Sequence, residues 1–78
     1  MPYEIVFNAR AEQYLGSLPQ AVAEAIEDAL DALEMNPAQY ESVQFKTAYL
    51  VTVAGHDIAW TYSKKANELI VASIRPYG

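Results

Sequence analysis

The chain contains no cysteine, which excludes a disulfide, a thiolate metal site and a thiol nucleophile together. Histidine occurs once, as His56, and the carboxylates are spread along the chain, so no convergent metal-ligand set is expected. No cofactor is expected either. Bases are equally scarce: Arg10, Lys46, Lys64, Lys65 and Arg75 stand against ten acids, for a net charge of −5. Affinity for nucleic acid comes mainly from neutralising phosphates. Five scattered cations in an acidic chain therefore argue against a direct RNA or DNA ligand. No apolar run approaches the ~18 residues of a membrane span. Met1-Pro2-Tyr3-Glu4 places no basic segment before an apolar one, so neither a membrane protein nor a secretory signal is expected, and the expected location is cytoplasmic.

What is present is core-forming material. Of the 78 residues, 53% are hydrophobic, and they include one tryptophan, two phenylalanines and six tyrosines. That composition excludes disorder. The length predicts a single domain over 1–78. So short a chain buries only roughly 60–65% of its unfolded surface, and it needs a dense core or a partner.

Residues Tyr3 to Phe7 alternate as a strand, with Tyr3, Ile5 and Phe7 on one face. Asn8 offers a side-chain oxygen as an N-cap for a short helix over Ala9–Leu15, which Gly16 and Ser17 interrupt. Leu18-Pro19 restarts the chain, since proline suits a first helical turn. From Pro19 to Met35, Val22, Ile26, Ala29, Leu30 and Leu33 form one apolar stripe. Glu24, Glu27, Asp28, Asp31 and Glu34 line the opposite side, with no lysine among them, and they read as a solvated face. Asn36-Pro37 ends the helix. Beyond Phe45 the period becomes two. Strands are predicted at Tyr49–Val53, Asp57–Tyr62 and Glu68–Ile74, separated by turns at Ala54-Gly55-His56 and Lys64–Asn67. The order β-α-α-β-β-β predicts an α+β fold: an antiparallel sheet with an αα-hairpin packed on one face.

Tyr3-Glu4-Ile5-Val6-Phe7, Leu18-Pro19 and Glu34-Met35-Asn36-Pro37 resemble the RelE/ParE toxin pattern of a first strand ending in Phe, "LP" opening the second helix and "ENP" closing it. Phe45 to Val53 is similar to the family's LKG-x-YRLRV. Gly55 to Trp60 sits where the family has G-D-Y-R-V-I-Y, with Asp57 on the arginine and Trp60 on the tyrosine. The resemblance spans essentially the whole chain. It implies a toxin-like component of a type II toxin–antitoxin system, held by an antitoxin, with the ribosome or DNA gyrase as candidate targets.

The ribonuclease members of that family cleave with basic residues that stabilise charge on the phosphate. Here the two bases of YRLRV are Leu50 and Thr52, and the next strand's arginine is Asp57. The family's C-terminal arginine falls on Tyr77, or on Arg75 in a shifted alignment. Losing one oxyanion-type donor costs about 2.7–4 kcal/mol of barrier. The resemblance thus implies action by protein binding. Its alternatives are an inactive interaction module or homodimer, and a residual endoribonuclease using His56, Arg75 and Tyr77. His56 reads otherwise as a turn histidine, and Lys64-Lys65 as turn solubilisers.

Strict alternation puts Tyr49, Val51, Val53, Ile58, Trp60, Tyr62, Ile70, Ala72 and Ile74 toward the helices. The outer face then carries Leu50, Thr52, Ala59, Thr61, Leu69, Val71 and Ser73. A neutral, largely apolar outer face marks a partner site. The expected occupant is an antitoxin-like protein or a second copy, with Leu50, Thr52, Ala59, Leu69 and Val71 as its contacts.

Overall fold

A computed structural model describes residues 3–37, 44–45 and 48–77. The elements run β1 (Glu4–Phe7), α1 (Ala9–Ser17), α2 (Gln20–Met35), β2 (Gln44–Phe45), β3 (Ala48–Val53), β4 (His56–Ser63) and β5 (Glu68–Pro76). The Lys46-Thr47 part of the family pattern lies outside the described residues, as do Met1, Pro2 and Gly78.

Local chemistry explains the boundaries. Asn8 stays extended and its Oδ1 accepts from the Arg10 N–H at 2.9 Å, which satisfies one of the orphan donors of α1. That helix runs through Gly16 to Ser17, whose hydroxyl donates to the Tyr14 carbonyl, so the interruption expected at Gly16 is absent. Pro19 caps α2, and its carbonyl accepts from the Val22 and Ala23 N–H groups. Asn36 ends the helix in an extended conformation ahead of Pro37.

The sheet order is β1-β5-β4-β3-β2. From β2 to β5 every pairing is antiparallel. β1 is different: it lies parallel to β5, with Glu4 to Phe7 opposite Glu68 to Val71. The sheet is therefore mixed, which corrects the purely antiparallel expectation. The reason is topological. A chain that leaves β1 into a helix hairpin and returns at the far sheet edge meanders back with β5 running in the direction of β1.

Both helices pack on one face, as the sequence predicts. Ala11 of α1 and Ile26, Leu30 and Leu33 of α2 form a single core with Ile58, Trp60, Leu69, Val71 and Ile74. Trp60 is fully buried at its centre, with Tyr49 at 5.1 Å and Tyr62 at 6.2 Å between ring centroids. Tyr3 meets Tyr62 edge-on at 5.8 Å. Pairs of this kind add about 0.5–1.5 kcal/mol each beyond the area they bury. Among the described residues the buried Trp60 Nε1–H has no hydrogen-bond partner, an unmet donor that costs about 1–3 kcal/mol.

The face assignment of β5 needs correcting. Leu69 and Val71 are 0% exposed and lie under the helices, while Ala72 is exposed and Ile70 half-buried on the opposite side. A β-bulge is the cause. Ala59 pairs with Ser73 and its neighbour Trp60 with Val71, so Ala72 is an extra residue in β5. One inserted residue inverts the alternation beyond it. Leu69, Val71 and Ile74 thereby share the core side, where an unbroken period of two would have separated them. Leu69 and Val71 are removed from the outer-face set.

Candidate functional site

The outer sheet face is built from cross-strand rows. Leu50, Ala59 and Ser73 lie side by side on β3, β4 and β5. The next row is Thr52, Asp57 and Arg75. Both rows follow from alternation on β4, where buried Ile58 and Trp60 leave Asp57 and Ala59 pointing away from the helices. Thr52 Oγ1 donates to Asp57 Oδ1 at 2.9 Å. Leu50, Asp57, Ala59, Ser73 and Arg75 together line a depression of about 250 Å³.

Its lining combines apolar side chains with one acid and one base. The floor is Leu50 and Ala59, both half-buried. Among the described residues the one cation lining it is Arg75, which lies opposite Asp57 in strand register. Lys64 and Lys65 occupy the turn at the other end of β4, about 20 Å away at 3.3 Å per residue. Among the described residues no cluster of cations lines this face. Among the described residues no group of three or more His, Asp or Glu side chains could hold a metal ion.

The three candidate catalytic residues are not brought together on this face. His56 opens β4 from the β3–β4 turn and points to the helix side. Its Nδ1 is 3.0 Å from the Ala54 carbonyl and its Nε2 is 3.2 Å from the Tyr14 hydroxyl. A carbonyl only accepts, so Nδ1 carries the proton, and in the neutral ring Nε2 accepts from Tyr14. Arg75 lies opposite Asp57 in the outer row. Tyr77 is 69% exposed, and its backbone N–H donates to the Gly55 carbonyl at 2.7 Å. Among the described residues His56 thus has no carboxylate to orient it; its side-chain partner is a phenol that sequence reasoning did not single out. The signal for Tyr14 was present but faint. The Asn8 cap sets the phase of α1, and Ala11 and Tyr14, three residues apart, then share the face toward the sheet.

No family model and no curated protein sequence matches the chain. Solved structures do. A chain of the intact E. coli RelBE toxin–antitoxin complex superposes with a TM-score of 0.83 at 16% identity, covering 97% of this chain and 98% of that one. A chain of the RelBE2 toxin–antitoxin complex from Mycobacterium tuberculosis gives 0.80 at 15% identity, over 97% and 99% of the two chains. A chain of the archaeal RelE–RelB complex from Pyrococcus horikoshii gives 0.75 at 19% identity, over 100% and 98%. Likeness at such identities speaks for architecture, and on that evidence this chain has the fold found in the RelE toxin–antitoxin complexes.

Proposed function

We propose that this protein is a toxin-like component of a toxin–antitoxin pair that acts by binding another protein, with an antitoxin-like partner seated on the outer sheet face. The observation that carries this reading is the pair of rows Leu50–Ala59–Ser73 and Thr52–Asp57–Arg75. They join an apolar floor to a row in which the single arginine sits opposite an aspartate in strand register. Transesterification of RNA requires several cations directed at the phosphate oxygens together with a group that moves protons. Leu50, Thr52 and Asp57 supply no cation. Apolar floors with a polar rim suit protein partners instead. The fold likeness to RelE chains crystallised in toxin–antitoxin complexes supports an antitoxin as one such partner.

The test is induced expression with a growth readout, followed by two assays on purified protein. The reading expects growth arrest or inhibition of gyrase supercoiling, with messenger RNA left intact on translating ribosomes. Codon-specific cleavage that disappears in Arg75→Ala would replace it with the ribonuclease reading. A protein that is inert in all three assays and self-associates through Leu50 would be an interaction module instead.

A further inference from the structure

β5 is nine residues long and β1 only four. Their pairing ends at Phe7 and Val71, and the Asn8 N–H donates one last bond to the Val71 carbonyl at 2.9 Å. Beyond Val71, among the described residues, nothing pairs with β5 on its β1 side, while Ser73 to Pro76 pair with β4. The β1-side edge borders a cleft of about 360 Å³, whose far wall is the start of α1. Asn8, Arg10 and Tyr14 form that wall, and Ser73 and Arg75 stand on the strand side. Both arginines of the chain line the cleft, and among the described residues no carboxylate does. In a chain with twice as many acids as bases, this gathering sets the cleft apart electrostatically from the acidic face of α2, where Glu24, Glu27, Asp28 and Asp31 are exposed.

We propose that this edge takes a short extended peptide segment bearing acidic side chains, added as a strand along Ala72–Pro76 with its carboxylates on Arg10 and Arg75. Two independent features select that occupant. An open strand edge presents backbone N–H and C=O groups that another extended backbone satisfies. Guanidinium forks match carboxylates in a planar, two-bond geometry. A free phosphate would use the second feature and leave the first unmet. A nucleic acid would bring a polyanion against a chain of net charge −5. The cleft shares Ser73 and Arg75 with the outer-face depression, but the open backbone edge, Asn8 and Arg10 belong to it alone, so the inference does not require the toxin reading.

The probe is a fluorescent seven-residue peptide of alternating glutamate and valine, with a lysine-for-glutamate peptide as its control. Anisotropy titration should show saturable binding of the acidic peptide, at least tenfold tighter than of the basic one and weakened by salt. Backbone amide NMR should place the shifts along Ala72–Pro76 and the first turn of α1. The double reversal Arg10→Glu with Arg75→Glu should invert the preference toward the lysine peptide. Arg10→Gln with Arg75→Gln, which adds no acid, should lose the preference without inverting it. The idea fails if binding does not saturate at millimolar peptide, if the preference survives both variants, or if the shifts map to Leu50 and Ala59. It also fails if inorganic phosphate or a short RNA displaces the peptide at equal concentration, which would mark a general anion site. A peptide-free dimer that buries this edge in sedimentation and NMR would equally overturn it.

Discussion

The two faces of the sheet are made from the same strands and differ in almost every physical respect. On the helix side, Ile58, Trp60, Leu69, Val71 and Ile74 are buried against Ala11, Ile26, Leu30 and Leu33. On the outer side, residues one position away, Asp57, Ala59, Ile70 and Ser73, stay half-exposed. Along β4, period two alone separates core from surface. Along β5 it does not, because the bulge after Val71 changes the phase. What the contrast teaches is that a strand's sequence reports its faces only where its pairing is regular.

Substitutions can break this contrast. The largest effect is expected from Val71→Lys, which places an unpaired ammonium in the core. The penalty of several kcal/mol is a large part of the ~5–15 kcal/mol that holds a small domain together. Cooperative thermal melting by circular dichroism should vanish, and a normal melt would return Val71 to the outer face. Trp60→Ala should cost about 3–5 kcal/mol in urea titration. Trp60→Phe should cost clearly less, because both variants remove the unmet Nε1–H and only phenylalanine keeps most of the buried ring. Equal costs for the two variants would mean that a buried ring at this position adds no stability.

Smaller effects sharpen the comparison. Ala54 and Gly55 both have positive φ, 51° and 77°, in the two-residue turn between Val53 and His56. A turn of that type prefers Asn-Gly. Ala54→Asn should therefore stabilise the β3–β4 hairpin by about 0.5–1 kcal/mol, since asparagine tolerates the left-handed region better than alanine; an unchanged or lowered urea midpoint would refute this. Leu50→Lys should have the smallest effect on stability, within about 0.5 kcal/mol as for ordinary surface changes. Yet it should abolish partner capture on the outer face. A wild-type protein that stays monomeric, captures no partner and behaves as the variant does would show that this surface is idle.

Much of the candidate site was readable in advance. Leu50, Thr52, Asp57 and Ala59 emerged on one face because β3 and β4 alternate without interruption and meet through a tight turn. The absence of family cations at Leu50, Thr52 and Asp57 was visible from residue types alone. Leu69 and Val71 were misplaced because a bulge leaves little mark in a run such as Leu69-Ile70-Val71-Ala72, where every residue is apolar and either phase looks plausible. The partner of His56 was hidden for another reason. Tyr14 lies 42 positions earlier in the chain, and only the docking of α1 against the sheet brings the two rings to 5.7 Å.

By itself, then, the sequence determined what depends on neighbours a few positions apart. Asn8 caps α1, the stripe from Val22 to Leu33 buries one side of α2, Asn36-Pro37 stops that helix, and the β3–β4 hairpin turns at Ala54-Gly55. Short-range sterics and hydrophobic periodicity suffice for these. Tertiary structure alone decided the parallel pairing of β1 with β5, the bulge that turns Leu69 and Val71 inward, and the placing of Arg10 and Arg75 on the walls of one cleft beside an open strand edge. Each of those depends on which distant segments lie side by side. That choice is made by burying the whole core at once, and no local preference encodes it.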